Sequence, residues 1–353
     1  MTNYWTDTVT RLTPYVPGEQ RSGDNIIKLN TNENPYPPTP AVMQAVSALT
    51  GDQLRLYPDP ESVALRKALA SYHGLDVSQV FVGNGSDEIL ALVFLAYFTN
   101  DKVLQFPDIS YSFYPVYCDL YGIEAKTIAL EPDYSINFER YEANAGGIVF
   151  PNPNAPTATD VTHDAVRSLL ERHTQQVLLV DEAYADFGAR SVIDMIDEFP
   201  NLLVSHTFSK GRSLAGLRLG VAFGHPRLIE GLQRVKNSFN SYPVDAFAQV
   251  AGIASLQDET YYRTVVDTIV KTREQAVSDL HARGFQVLPS KANFLFARVP
   301  QQGSEKTATP IVNRLSDAGI LVRHWTRPRL DQWLRISLGT PEQMQALMSC
   351  LDA

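Results

Sequence analysis

Seven short apolar runs, five of them ending in a polar or glycine-containing cluster, constrain this chain more than any other feature. The runs are Val80–Gly83, Val103–Phe106, Glu124–Leu130, Ile148–Phe150, Val177–Val180, Leu202–Ser205 and Leu219–Phe223. Several are apolar throughout rather than alternating, as strands are when helices cover both faces of their sheet. Between them, Asp87–Tyr97, Ser112–Tyr121 and Asp164–His173 are helix-compatible. The pattern predicts an α/β fold with a mostly parallel sheet between helices. The clusters Gly83–Asp87, Phe106–Asp108, Phe150–Asn152, Val180–Asp181 and Thr207–Lys210 all follow strands. Ligands of open α/β sheets bind outside the carboxyl ends of the strands, so these five ends are expected to face one crevice.

Past residue 245 the texture changes. Asp245–Leu256 and Glu259–Arg283 read as long helices. Phe285–Leu288, Phe294–Arg298, Ile320–Arg323 and Trp333–Ser337 read as strands, with helices at Thr309–Ala318 and Pro341–Cys350. This suits a smaller α+β domain. The expected division is a large domain over 36–245 and a small one made of 246–353 and an N-terminal arm, 1–35, punctuated by prolines at its end. A chain of 353 residues, 44% hydrophobic, is long enough for both cores. Thirty basic against 39 acidic residues give a net charge of −9, which disfavours a nucleic-acid or anionic-membrane partner. Two cysteines, Cys118 and Cys350, fit a reducing cytoplasm. No apolar stretch nears the ~20 residues of a membrane span. Tyr4, Trp5 and Asp7 do not read as the start of a secretory signal.

Lys210 lies just past a strand in a hydroxyl-rich loop, 29 residues after Asp181 and eight before Arg218. A partly buried lysine with a lowered pKa is a nucleophile toward an aldehyde cofactor. Asp181 closes an apolar strand, where an unpaired carboxylate is costly and a buried cation would compensate it. The protonated pyridine of pyridoxal phosphate is such a cation. Tyr184 could donate to that cofactor's phenolic oxygen, and Tyr111 could stack on its ring. Gly83-Asn84-Gly85-Ser86-Asp87-Glu88 joins a strand to a helix, where amides and the Ser86 hydroxyl suit a phosphate. Glu88 stands where a dinucleotide fingerprint has its third glycine, and no Gly-Lys-Ser/Thr makes a P-loop. Arg218 could clamp the same phosphate.

Together these segments resemble the fold-type I, aspartate-aminotransferase-like family of pyridoxal-phosphate enzymes. Leu29–Tyr36, Tyr57–Pro60, Gly83–Glu88, Asp181–Tyr184, Thr207–Lys210 and Trp333–Pro341 are similar to its histidinol-phosphate aminotransferase subgroup. The resemblance implies that Lys210 carries the Schiff base and moves the proton, with Asp181 on the pyridine nitrogen and Tyr184 on the phenolic oxygen. It implies that Gly85, Ser86, Asp87, Thr207, Ser209 and Arg218 hold the phosphate and Tyr111 stacks. It also implies a homodimer with shared sites, in which Tyr57 reaches the cofactor of the partner subunit. The run Pro151–Ala158 departs from the family pattern: Ala155 stands where an asparagine is usual, and Ala158 replaces a glycine. The phenolic-oxygen contact is therefore assigned to Asn154, and Ala158 is expected to alter the turn, since alanine tolerates positive φ poorly.

Arg335 matches the family's carboxylate-binding position. With Arg323 it could form a two-arginine clamp for a phosphate ester, joined by Tyr15 and Asn32. The implied reaction moves an amino group from histidinol phosphate to 2-oxoglutarate, giving imidazole-acetol phosphate and glutamate. Rivals are an aromatic or broad-specificity aminotransferase, a decarboxylase of threonine-phosphate type, and a non-catalytic regulator on the same fold. The regulator fits poorly, because Lys210 is retained and there is no spare length for a DNA-binding domain.

Overall fold

In the computed structural model, residues 4–16, 18–21, 23, 25–300 and 307–352 are described. They build two sheets. The strands are β1 (Ile27–Leu29), β2 (Val80–Asn84), β3 (Leu104–Pro107), β4 (Ala125–Ile128), β5 (Gly147–Pro151), β6 (Leu178–Asp181), β7 (Leu202–Thr207), β8 (Leu219–Gly224), β9 (Gln286–Val287), β10 (Phe294–Arg298), β11 (Ile320–His324) and β12 (Trp333–Ser337). The larger sheet has the order β2-β8-β7-β6-β5-β3-β4. Every neighbouring pair is parallel except the two made by β8, which is antiparallel to β2 and β7.

Alternate residues of each central strand face opposite sides of the sheet. On one face Val80, Val82, Ile148, Phe150, Leu178, Val180, Leu202 and Val204 meet helices Pro40–Ser47, Val63–His73, His163–Arg172 and Ala246–Gln257. On the other, Phe81, Leu104, Phe106, Val149, Leu179 and Leu203 meet helices Gly85–Val93, Tyr114–Tyr121 and Pro226–Phe239. Burial on both faces explains the uninterrupted apolar runs. The single antiparallel intruder, β8, sets β2 and β7 pointing the same way, so the ends of β2, β3, β5, β6 and β7 share one rim.

The smaller sheet has the order β1-β11-β12-β10-β9. Its apolar face packs on helices Glu259–Ala282, Thr309–Asp317 and Pro341–Asp352 through Leu295, Leu334, Ile336, Ile269, Leu280, Leu315 and Leu347. Two features differ from the sequence reading. The N-terminal arm supplies a strand, β1, parallel to β11 with Ile27 opposite Ile320. Helix Ala246–Gln257, grouped above with the small domain, has Ala248, Ala251 and Ala254 in the core of the large sheet instead. Its alanines let it lie close to helices 40–47 and 63–73. Residues 1–3, 17, 22, 24, 301–306 and 353 of the expected small domain lie outside the described residues.

Candidate active site

A cavity of about 440 Å³ opens at the shared rim, between the two sheets. All five strand ends contribute: Ser86 and Asp87 after β2, Tyr111 after β3, Ala155 after β5, Asp181 and Tyr184 from β6, and Thr207, Ser209 and Lys210 after β7. Arg218, just before β8, closes one side. The opposite wall comes from the segment after β1 (Asn30–Glu33), from Arg323 and Trp325, and from Arg335.

Asp181 is 5% exposed and has no ion-pair partner among the described residues. Its Oδ2 accepts from the Tyr114 hydroxyl and its Oδ1 from Ser205 Oγ, each at 3.1 Å. Burial raises its carboxyl to about 6 against the lowering effect of those two bonds. Lys210 Nζ donates to the Thr31 carbonyl at 3.3 Å. Burial, with the nearby Arg335 charge, lowers the Lys210 ammonium to about 8. A nucleophilic amine and an uncompensated carboxylate thus share one cavity.

The turn after β2 is shaped by contact. Gly85 has φ +83, and a Cβ there would stand 2.6 Å from Arg218 Nη2. Gly220 lies against it, since its Cβ would fall 2.4 Å from the Gly85 carbonyl carbon. Two glycines therefore let the guanidinium reach the first turn of helix Gly85–Val93. Arg218 Nη2 pairs with Asp87 Oδ2 at 3.1 Å, and Tyr111 donates to Asp87 Oδ1 at 2.7 Å. Gly85 stands behind this lining rather than in it.

Tyr184 Oη accepts from Asn32 Nδ2 at 3.1 Å, and Asn32 Oδ1 in turn accepts from Ser337 Oγ at 2.8 Å. The small sheet thereby holds Tyr184 in place. Arg335 donates to the Asn30 carbonyl at 2.7 Å, while its buried Nε has no acceptor among the described residues. Among the described residues the one hydrogen bond of the Arg323 side chain is a long one to the Val16 carbonyl at 3.4 Å. Tyr15 lines the same end and packs on Phe113 at 4.6 Å between rings.

Two assignments change. Asn154 does not line the cavity: its Nδ2 bonds the Ile109 carbonyl at 3.0 Å and Thr157 Oγ1 at 2.9 Å, and Ala155 takes the wall position. The backbone turns the side chain away, because Asn154 N–H bonds Thr159 and Ala158 N–H bonds Asn154. Nor does Ala158 abolish a left-handed turn; it adopts φ 65 itself. Tyr57 is 82% exposed, stacked on Tyr242 at 4.7 Å, and does not line the cavity of its own chain. Sequence reasoning missed Tyr114, Ser205, Thr31 and Trp325. Tyr114 was detectable as a polar tip three residues after Tyr111 on a buried helix face.

The residues present fit pyridoxal phosphate. Asp181 lacks a cation, Lys210 is a softened amine, and the Gly85–Arg218 cradle supplies amides and a guanidinium where a phosphate would seat.

Residues 24–351 match the family described as aminotransferase class I and II. Histidinol-phosphate aminotransferase 1 of Hydrogenovibrio crunogenus is 51% identical over 351 residues, covering 99% of this chain and 98% of that protein. Histidinol-phosphate aminotransferase of Pseudomonas syringae pv. syringae is 50% identical over 352 residues, covering 100% and 99%. The crystal structure of histidinol-phosphate aminotransferase from Sinorhizobium meliloti in complex with pyridoxal-5'-phosphate superposes with a TM-score of 0.89 at 25% identity, over 99% of this chain and 97% of that one. The chain belongs to the class I and II aminotransferases, and within them to the histidinol-phosphate aminotransferase family.

Proposed function

We propose that this chain is a pyridoxal-phosphate-dependent aminotransferase of histidine biosynthesis. It transfers the amino group of L-histidinol phosphate to 2-oxoglutarate, with imidazole-acetol phosphate and glutamate as products. The observation that carries this reading is one cavity with Lys210 and Asp181 at its base and, at its far wall, two arginines, Arg323 and Arg335, without ion-pair partners among the described residues. Full-length relatives at about half identity support it.

The cofactor, when bound, supplies an electron sink that acidifies the carbon bearing the amine. Asp181 holds the pyridine nitrogen protonated. Ser86, Thr207, Ser209, Arg218 and the amides of Gly85–Asp87 bind the phosphate. Tyr111 would stack on the ring, and Tyr184 would donate to the phenolic oxygen, with Asn32 fixing its hydroxyl. Ala155 offers no polar group, so Tyr184 alone among the assigned residues serves that oxygen. Lys210, with its ammonium near 8, gives up and regains a proton at Nζ close to neutral pH, as a base at the substrate carbon must. Arg323 and Arg335, with Tyr15, bind the phosphate ester of the donor and then a carboxylate of the acceptor.

We place the division between the two domains near Asp258, where helix Ala246–Gln257 gives way to Glu259–Ala282. The protein is a cytoplasmic homodimer in this reading, with Tyr57 completing the partner subunit's phosphate site. Among the described residues no helix is long and apolar enough to cross a membrane. The test is a single-turnover comparison of histidinol phosphate, phenylalanine, tyrosine, aspartate and threonine phosphate on the cofactor-loaded enzyme. Histidinol phosphate should show the highest kcat/KM. Equal or better use of an aromatic amino acid, or release of carbon dioxide from threonine phosphate, would overturn the assignment.

A further inference from the structure

Arg323 and Arg335 face each other directly across the β11–β12 ladder. Like charges in that position repel. Neither forms an ion pair among the described residues, so no carboxylate relieves the repulsion. What both share is Trp325: the Arg323 guanidinium carbon lies 5.5 Å from its ring centroid and that of Arg335 lies 5.6 Å away. The electron-rich face of an indole attracts a cation at this range. Trp325 is anchored in turn, packing against the apolar cluster that contains Ile109, Leu130 and Trp333.

The two arginines are not equally secured. Arg335 also bonds the Asn30 carbonyl and lies over the Phe294 ring at 5.5 Å. Among the described residues Arg323 has, besides the indole, a 3.4 Å bond to the Val16 carbonyl. We infer that Trp325 is a positioning residue for anion recognition: it holds Arg323 beside Arg335, so that two like charges converge on one doubly charged phosphate ester. This rests on the function proposed above and names what sets its preference for a phosphorylated donor. A ring between the guanidiniums and the apolar core suits the task better than a carboxylate. A carboxylate would neutralise the pair and compete with the substrate.

The test uses the holoenzyme and two donors, histidinol phosphate and histidinol. Trp325→Leu should reduce the preference for the phosphorylated donor about three- to thirtyfold, the range of a desolvated cation–π contact, chiefly through KM. Trp325→Phe, which keeps a ring face, should recover most of it. In an Arg323→Gln background Trp325→Leu should cost little more, because its effect runs through that arginine. A retained preference in Trp325→Leu, or the same loss with and without Arg323, would overturn the inference. Should the wild-type enzyme show no preference, the functional reading fails instead. Competition by inorganic phosphate then decides Trp325: weaker inhibition of Trp325→Leu supports the role, and unchanged inhibition refutes it.

Discussion

Tyr114 donates its hydroxyl to Asp181 Oδ2 across 3.1 Å, with both groups buried at the floor of the cavity. This bond, with that from Ser205, favours the ionised carboxylate that burial opposes. Tyr114→Phe lets the carboxyl titrate higher. The acid limb of the kcat/KM profile should then move up by about one pH unit, with the alkaline limb in place. Ser205→Ala should act in the same direction. An acid limb that stays put in both variants would mean that Asp181 does not set it.

Lys210 is expected to be the point of covalent attachment. Borohydride treatment of the yellow protein should leave a pyridoxyl group on the peptide containing Lys210, read by mass spectrometry. Lys210→Ala should lose turnover by at least about a thousandfold. In the apoprotein the lysine titrates near 8 when folded and near 10.5 when unfolded, so the unfolded chain binds more protons between those values. Stability attributable to this group therefore rises from pH 8 to 10.5. Apo Lys210→Met should exceed the wild type in denaturant midpoint at pH 7, and that advantage should shrink toward pH 10.5.

Gly85 combines a positive φ with the close approach of Arg218. Gly85→Ala strains the turn by about 1 kcal/mol and pushes the guanidinium aside. Cofactor affinity should fall about tenfold or more, measured by fluorescence titration of the apoprotein, with a smaller change in melting temperature. Unchanged affinity would place the phosphate elsewhere.

Tyr57 is exposed and does not line its own cavity, and Leu54, Leu56 and Phe239 are exposed as well. If two chains share each site, Lys210→Ala and Tyr57→Ala homodimers should both be impaired. Mixing them under subunit exchange should restore activity, because one hybrid site then carries both native residues. No recovery in mixtures shown to contain hybrids would rule out the sharing.

Much of the large sheet was legible because burial on both faces leaves an unbroken apolar signature. β10 and β12 match their expected spans to the residue, since strands flanked by turns are sharply bounded in sequence. β1 was not legible: three residues among prolines and asparagines become a strand only because β11 offers an edge. Asn154 was misassigned for a related reason. A sequence shows an amide next to the vacant position, but two backbone hydrogen bonds decide which way it points.

By itself the sequence determined the alternation of strands and helices, the polar groups at the strand ends, and the meeting of Lys210, Asp181, Tyr184 and Arg218 at one cavity. Those features are local, because each depends on residue type and position along a strand or turn. Only the tertiary structure decided that Tyr114 and Ser205 hold Asp181, that Ala155 rather than Asn154 walls the cavity, and that Arg323, Arg335 and Trp325 meet. These relations join residues far apart in the chain, and the register of β11 on β12 fixes the last of them.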